Sequence, residues 1–529
     1  MTSLTGTGGL IRFILRRDRF LLPVWIVFFG AIPAALAPGI TEVWPTQADR
    51  DAAVGLIENT PAFTALLGRV FDSSIGGLVA WRGSMMPVLL GIVTAVTVIR
   101  HTRTDEEAGR RELLGSTVVG RQAGLTAALV VVTLASLATG ALAAASMIGQ
   151  DEAVAGSLLL GAQYAAGGVV FAAVAAVCAQ LTRGAGSARG MFFLVLGAAF
   201  ALRMTGDLDP DATWATWASP VGWLQQLQPY ADDDWAVLAL PAAATLLLTA
   251  AAFLLQSHRD VEAGVLPTRL GRAEAGPGLS HPTGLAWRLQ RAGLLGWSIG
   301  FAALGLMLGS MVDGVQDMLD SSEFMQQVIM QMGGSDEITE AFIASMLGIL
   351  GLVAAGYGIQ AALKPRAEET GLRAEQLLAT GVSRLGWTTG HLLFAYLGPA
   401  VVMAAGGVTM ALSYGAVVDD FGTAVSQVAA GLAVQLPAIW VLTGLAVLLF
   451  GLAPRLLGLT WVALTLCLVF GQLGAALRLP QWALDLSPFT HIPQIPGEDP
   501  RLTPVLWLVG VAAAMTVAGL AGFRRRDVG

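Results

Sequence analysis

Twelve long apolar runs constrain the fold of this chain more than any other feature of its sequence. Each is close to the 17–25 residues that a helix needs to cross the hydrocarbon core of a bilayer. Charged residues make up only 13% of the chain, against about 25% in a soluble globular protein. The sequence therefore predicts an all-α polytopic membrane protein with about twelve transmembrane helices. They are expected near residues 20–40, 79–99, 123–147, 155–182, 186–204, 235–255, 293–312, 341–363, 388–414, 423–450, 456–476 and 503–523.

A charged island separates the second and third runs, and a similar island separates the eighth and ninth. The first island (residues 100–121) reads RHTRTDEEAGRRELLGSTVVGR, and the second island (residues 364–384) reads KPRAEETGLRAEQLLATGVSR. At a shift of 262 residues the second island supplies counterparts of Glu106, Glu107, Gly109 and Arg111, namely Glu368, Glu369, Gly371 and Arg373. After a one-residue insertion, Glu112 and Arg121 align with Glu375 and Arg384 at a shift of 263. A repeat at about half the chain length indicates a duplicated architecture.

The duplication extends to the ends of the two halves. Ser-Pro precedes the sixth and the twelfth apolar run, and Arg-Asp-Val follows both. Residues 262–283 are rich in Gly and Pro and have no apolar period, which is typical of a linker. We therefore expect two tandem six-helix halves, a first half over 1–261 and a second over 284–529, joined by a linker over 262–283.

Basic residues set the expected orientation. If both termini and both islands face the cytoplasm, all but six of the 30 Lys and Arg residues lie on that side, as the positive-inside rule requires. A basic amphipathic helix over 8–19 is expected to lie along the membrane surface. A second such interfacial helix is expected from about Gly284. Arg12, Arg16 and Arg19 lie on one face of the first helix, and the second carries Arg288 and Arg291.

Several kinds of chemistry are disfavoured by the composition. The chain has a single lysine, Lys364, between Leu363 and Pro365, so it cannot form a phosphate-binding loop of the G-x-x-x-x-G-K-[ST] type. The third to sixth and ninth to twelfth spans carry no acidic or basic residue in their interiors, which disfavours ion-coupled transport. Scattered histidines and two distant cysteines indicate no catalytic or metal cluster. We interpret Asp232-Asp233-Asp234 as a solvated loop end rather than a metal site.

Two features leave a structural and a functional interpretation open. The first is a methionine stripe over residues 311–332. Its functional interpretation is apolar contact with varied substrates, to which methionine is suited, and its structural interpretation is packing against the rest of the protein. The second feature is a set of glutamines within the spans. Their functional interpretation is that they line a pathway for an amphipathic solute, and their structural interpretation is that they form interhelical hydrogen bonds. These glutamines are Gln163, Gln360, Gln427, Gln435 and Gln472.

The islands also allow two interpretations. Glu106 and Arg110, Glu107 and Arg111, and Glu369 and Arg373 are spaced i,i+4, which supports a short solvated helix. As a surface ion pair, each would contribute only about 0.3–0.5 kcal/mol, so loss of the acids is expected to leave folding nearly intact. A loop that only keeps its part of the chain in water needs no more than such weak surface pairs. Recurrence of the island at the same place in both halves favours a docking element instead.

In this order the features resemble the permease of a type-2 ABC exporter. They are a basic amphipathic first helix, six spans, a Glu-Glu-x-Gly loop between the second and third spans, and Arg-Asp-Val after the sixth. The whole chain resembles two such permeases fused, and it is most similar to bacterial polyketide-antibiotic (tetronasin-type) exporter permeases. The resemblance implies a non-enzymatic transport subunit that exports a hydrophobic or amphipathic compound such as an antibiotic or drug. An ion-coupled multidrug transporter with twelve spans is the alternative.

The resemblance also implies which residues contact a separate ATPase subunit. In the first island these are Glu106, Glu107, Gly109, Arg110, Arg111, Glu112 and Arg121, and in the second they are Glu368, Glu369, Gly371, Arg373, Glu375 and Arg384. The interfacial helices are expected to contact the ATPase as well. Because Leu372-Arg373 stands where the first island has Arg110-Arg111, we expect the two halves to bind the ATPase unequally.

Cofactors and partners follow from the same resemblance. This chain is expected to hold no cofactor and no metal, while ATP and Mg²⁺ are used by the partner ATPase, in two copies. The other expected partners are the small-molecule cargo and membrane lipids, and no nucleic acid is expected. The expected location is the bacterial plasma membrane, with both termini in the cytoplasm.

Overall fold

The computed structural model describes most of the chain as two compact units, Met1–Leu270 and Gly271–Gly529. The described residues are 3–58, 61–110, 118–260, 263–267, 273–320, 335–473, 480–496 and 502–527. All their regular structure is helical, and none of these residues lies in a strand. The all-α polytopic fold is therefore confirmed. The division with a linker over 262–283 stays a prediction, because parts of that segment lie outside the described residues.

The first unit begins with the amphipathic helix α1 (Thr7–Arg17). A long apolar helix and three shorter ones follow: α2 (Leu21–Val43), α3 (Gln47–Glu58), α4 (Pro61–Leu67) and α5 (Ile75–Arg82). The first island is reached through α6 (Met86–Ile99), the π-helix Arg100–Thr104 and α7 (Asp105–Glu107). The unit is completed by α8 (Ala123–Ile148), α9 (Val154–Leu181), α10 (Ala185–Leu208), α11 (Thr213–Trp217), α12 (Pro220–Gln225) and α13 (Ala239–Ser257).

The second unit has a corresponding series of helices. Before its island come α14 (Pro282–Asp320) and α15 (Ser335–Ala362). The second island contains α16 (Lys364–Thr370) and α17 (Arg373–Leu378). The unit is completed by α18 (Arg384–Val418), α19 (Phe421–Leu452), α20 (Gly458–Leu473), α21 (Gln481–Leu484) and α22 (Leu502–Arg525).

Ten helices of the described chain are long and apolar enough to cross a membrane, or eleven if the bent pair at residues 75–107 counts as one span. The sequence predicted about twelve. The predicted span at 79–99 is broken between α5 and α6, where the axis bends by 42°. The predicted span at 456–476 contains α20, whose 16 residues extend only about 24 Å against a hydrocarbon core of about 30 Å. Residues 474–479 lie outside the described residues.

One detail of the second unit also differs from a simple repeat of the first. Its interfacial segment and first span form one continuous helix, α14, whereas the chain turns between α1 and α2. Pro437 lies inside the continuous helix α19, so this proline does not divide the predicted tenth span.

Small residues allow close helix packing within each unit, as is common in membranes. In the first unit α8 and α9 meet at Gly140 and Gly161, where a Cβ added to Gly140 would lie 2.2 Å from the carbonyl oxygen of Gly161. In the second unit α14 and α18 meet at Gly305 and Gly406. The hydroxyl of Thr409 donates a hydrogen bond to the carbonyl of Ala302 there, at 2.7 Å.

Candidate functional site: the two charged islands

The first island continues α6 through the π-helix and α7. Gly109 then turns the chain with a φ of +67°, in the left-handed region that glycine adopts without steric cost. Residues 111–117 lie outside the described residues. The predicted docking residues Arg111 and Glu112 are among them.

Glu106 is the centre of a buried ion-pair cluster in the first island. Its side chain is only 2% exposed. Its two carboxylate oxygens accept hydrogen bonds from Nη1 and Nη2 of Arg259, at 2.7 and 2.9 Å. Arg103, one turn earlier, lies 3.2 Å from the same carboxylate, and Arg259 also donates from Nε to the amide oxygen of Gln180 at 2.7 Å. Bidentate Arg–carboxylate pairs of this kind combine strength with a defined geometry.

The far end of the first island is held by the same residue. Arg121 donates from Nη2 to the backbone carbonyls of Arg259, at 2.5 Å, and Gln256, at 2.8 Å. The side-chain amide of Gln256 donates back to the carbonyl of Arg121 at 2.9 Å. Arg259 therefore contacts the first island twice, at Glu106 through its side chain and at Arg121 through its backbone carbonyl.

The second island has the same arrangement. The carboxylate of Glu369, which is buried, accepts hydrogen bonds from Nη2 of Arg526 at 2.7 and 2.9 Å. It also accepts one from Arg366, one turn earlier, at 2.7 Å. Arg384 donates from Nη1 to the backbone carbonyl of Arg526 at 2.7 Å. Arg526 thus bridges both ends of this island as Arg259 bridges the first.

These contacts correct the predicted register between the islands. The Arg103–Glu106 and Arg366–Glu369 pairs correspond at a shift of 263 residues, as do Arg121 and Arg384, so no insertion is needed. Gly109 therefore corresponds to Leu372, whose φ of +55° is also positive, and not to Gly371. The pairings of Glu106 with Glu368 and of Glu107 with Glu369 are wrong. An alignment by residue identity matched glycine with glycine, while a leucine adopts the left-handed turn.

The ion pairs within the islands also differ from the predicted i,i+4 pairs. Arg110 binds Asp105 at 2.5 Å, and Arg373 binds Glu368 at 2.7 Å, so these two pairs correspond in the corrected register. The arginines are 53% and 61% exposed. Glu107, which is exposed, accepts a hydrogen bond from the backbone N–H of Ala185 at 3.0 Å, at the start of α10.

The predicted docking residues therefore separate into two groups. Those that hold the islands together include the buried carboxylates of Glu106, Glu368 and Glu369. Those at the surface lie at the two turns, which we name the first tip (Gly109 and Arg110) and the second tip (Leu372 and Arg373). Glu375 is exposed beside the second tip, in the first turn of α17.

Both interfacial helices carry their predicted arginines on exposed surface. Arg12 and Arg16 lie on α1, and Arg19 follows it in the turn before α2. Arg288 and Arg291 are exposed on α14, where they line a cavity of about 590 Å³ together with Trp287 and Glu274.

Sequence reasoning missed the residues that attach α1 to the first island. Asp18, which is buried, lies 2.5 Å from Nε2 of His101 and 3.0 Å from Nη1 of Arg100. Arg17 binds the carboxylate of Asp105 at 2.9 Å. The available signal was the acid at position 18 within a basic helix, because a lone acid among arginines can receive contacts from the next basic segment.

The glutamines of the spans make interhelical contacts in both units. Gln163 donates to the carbonyl of Leu224 at 2.7 Å, and Gln427 bonds Glu340 and Tyr414, each at 3.2 Å. An apolar cavity of about 350 Å³ lies between α18 and α19, lined among others by Met403, Gly407, Val428 and Leu432. Nothing is described for the side chains of the methionine stripe at 311–332.

The three consecutive aspartates of the first unit act partly as turn caps. Asp233 accepts a hydrogen bond from the backbone N–H of Tyr230 at 2.9 Å, and Asp234 accepts one from that of Ala236 at 3.1 Å. In the part of the chain that the structure describes, no group of three His, Cys, Asp or Glu side chains is placed to hold a metal ion.

Comparison with known proteins gives two matches. The sequence profile described as "Multidrug efflux system permease Rv1217c, C-terminal domain" matches the chain twice, over residues 14–255 and 279–524. The protein named "Multidrug efflux system permease protein Rv1217c" of Mycobacterium tuberculosis (strain ATCC 25618 / H37Rv) is 44% identical to this chain over 529 residues. That alignment covers 100% of this chain and 96% of the relative.

Proposed function

Since this chain belongs to the family of multidrug efflux system permeases described by Rv1217c, we propose that it is the membrane-spanning permease subunit of an ATP-driven multidrug exporter. Its cargo is hydrophobic or amphipathic. Polyketide antibiotics, to which the tetronasin-type resemblance points, are one such class. The chain itself is a transport subunit without catalytic activity, and it lies in the bacterial plasma membrane with both termini in the cytoplasm.

ATP is hydrolysed, with Mg²⁺, by a separate ABC ATPase subunit that binds in two copies, one to each island. The lack of a phosphate-binding lysine supports this division of labour. The single lysine of the chain, Lys364, is the first residue of α16 and is followed by Pro365. A Gly-rich loop with a lysine at its end is what a P-loop requires, and neither feature is present at this position.

The observation that supports the docking proposal is that the first tip and the second tip have the same local geometry. Each tip has a left-handed residue followed by an exposed arginine, and each arginine binds an acid five residues earlier. In each island, both flanking segments are held to the end of the last helix of the same unit. A solubilising loop needs charge but no repeated geometry. Two matching tips suit two copies of one partner.

Substituting both tip arginines tests the proposal. Arg110→Ala and Arg373→Ala remove ion pairs whose arginines are 53% and 61% exposed, while their acids, Asp105 and Glu368, are 16% and 6% exposed. Solvent screening at the arginines limits the contribution of each pair to about 1 kcal/mol. The double variant is therefore expected to fold normally, while binding less ATPase and exporting less drug. Arg183→Ala with Arg455→Ala is the matched control, because these exposed arginines lie in equivalent loops, after α9 and α19.

ATPase co-purification and drug export are measured for both double variants, with thermal stability as the check on folding. Normal co-purification and export in the tip variant would refute docking at the tips. Absence of any ATPase with the wild-type chain, combined with export that a protonophore abolishes at unchanged ATP level, would favour the ion-coupled alternative.

A further inference from the structure

Arg259 and Arg526 occupy the same place in the two units and were not among the residues singled out as functional. Arg259 lies two residues after the end of α13, and Arg526 directly follows α22. These are the last long apolar helices of their units. Each arginine belongs to an Arg-Asp-Val sequence, and each is the residue at which its island is held twice.

The two attachments have different chemistry. The guanidinium group of each arginine binds both oxygens of an island carboxylate, Glu106 in the first unit and Glu369 in the second. The backbone carbonyl of each arginine accepts a hydrogen bond from the arginine at the far end of the island, Arg121 or Arg384. We call these two sets of contacts the arginine clamps.

Further contacts fix the orientation of each guanidinium group. In the first clamp, Arg259 is 4% exposed and donates also to Gln180 and to the carbonyl of Ala263 at 2.9 Å. In the second, Arg526 lies over the rings of Phe450 and Phe523, 5.1 and 5.4 Å from their centroids. The two pairs also differ in geometry, because Arg259 uses Nη1 and Nη2, one for each oxygen of Glu106, whereas Arg526 reaches both oxygens of Glu369 from Nη2 alone.

Covalent connection links each island to only two helices, the ones before and after it. The clamp adds the last long helix of the unit as a third. Because the clamp holds both ends of the island, a displacement of the tip cannot be absorbed by one end moving alone. The end of α13 or α22 moves with the tip, or the ion pair between the arginine and the island carboxylate breaks.

We propose that Arg259 and Arg526 are positioning residues that transmit movement of each island to the last membrane helix of its own half. The inference rests on the proposed function, because the movement at the tip is supplied by the docked ATPase. It goes beyond docking, since it assigns the residues through which movement of a docked ATPase is transmitted to the membrane-spanning helices. The two clamps act in parallel, one in each half.

Lysine substitution separates transmission from docking and from folding. Arg259→Lys with Arg526→Lys keeps both positive charges but removes the planar guanidinium groups. Arg259 then loses its two-nitrogen contact with Glu106, and Arg526 loses its stacking over Phe450 and Phe523. The tips stay intact, so ATPase co-purification is expected to remain normal. Drug exported per ATP hydrolysed is expected to fall about five-fold or more, the lower end of typical coupling between sites. His258→Gln with Arg524→Lys, exposed neighbours of the clamps, is the matched control.

A charge exchange gives the second measurement. Arg526→Glu and Glu369→Arg are each expected to uncouple export from ATP hydrolysis, and their combination is expected to recover part of the coupling. The thermal stability of every variant is measured as well. If the role of the clamps is purely structural, stability and export fall together and the ratio of export to hydrolysis does not change.

The results separate the two levels of the proposal. Normal ATPase binding with an unchanged export-to-hydrolysis ratio in the lysine variant would overturn the clamps as transmitters and leave docking intact. Absence of the ATPase from wild-type preparations would overturn the proposed function and the transmission role with it. Normal binding with a reduced ratio, restored in part by the charge exchange, supports transmission.

Discussion

Removal of Glu106 should destabilise the protein far more than removal of its neighbour Glu107. Glu106→Ala leaves Arg103 and Arg259, 1% and 4% exposed, without their shared carboxylate. Removing one partner of a buried pair costs about 3–5 kcal/mol. We expect the lower part of that range, because Arg259 keeps its hydrogen bonds to Gln180 and Ala263. Glu107→Ala loses one partly buried hydrogen bond at the start of α10, which should cost about 1 kcal/mol by comparison with helix caps.

The second island supplies an internal replicate of this comparison. Glu369→Ala should behave like Glu106→Ala, because it removes the carboxylate of the second clamp. Glu368→Ala should be milder, because its partner Arg373 is 61% exposed. The four single variants are purified in detergent, and the temperature at which each loses its monodisperse form is measured. Equal midpoints for Glu106→Ala and Glu107→Ala would refute the assignment of Glu106 as the buried centre.

Three further perturbations test other parts of the structure. Gly140→Leu should destabilise the first unit by about 1–3 kcal/mol through overpacking, because even a Cβ would lie 2.2 Å from a backbone oxygen of the facing helix. Gly124→Leu is the control in the same thermal assay, because nothing lies within 4 Å of a Cβ added at Gly124. Asp18→Ala should weaken the attachment of α1 to the first island, leaving only the Arg17–Asp105 pair of the two described above, and should speed tryptic cleavage within α1. An unchanged cleavage rate would contradict the role of Asp18 in that attachment. In a chain whose two native cysteines are replaced, an impermeant thiol reagent applied to intact cells should label a cysteine at Ala155 but not one at Thr380, and the reverse pattern would invert the predicted orientation.

The sequence was sufficient for the fold class and for most of the spans. Runs of apolar residues have few alternatives to a membrane helix, and ten such helices occur in the described chain. The break between α5 and α6 was not predicted, because hydropathy does not report the direction of a helix axis.

The islands were located correctly, but the roles of their acids could not be read from the sequence. The i,i+4 spacing of Glu106 and Arg110 indicated a local surface pair. The partner of Glu106 is instead Arg259, which is 153 residues away in sequence. No local pattern reports such a pairing. The repeated Arg-Asp-Val was the only trace of it, and it was taken as a mark of duplication rather than as the other half of an ion pair.

The corrected register changes the physical basis for expecting unequal halves. In the register by identity, the second island lacked an Arg-Arg pair and contained an extra residue. In the structural register the tips match, and each has an arginine after a left-handed residue. The difference lies in what surrounds them. The first island also binds α1 through Asp18 and Arg17, whereas the second interfacial segment continues into the span as α14.

This difference predicts that the first island resists displacement more strongly than the second. Arg259 is 4% exposed, and Arg526 is 19% exposed, so water screens the second clamp more than the first. The first island is held by a clamp and by an interfacial helix that ends against it, and the second by its clamp with aromatic support. If force on the two tips is equal, the second island yields first. Arg526→Lys alone should then reduce export per ATP more than Arg259→Lys alone, and equal or reversed effects would show that burial of the clamp does not set its stiffness.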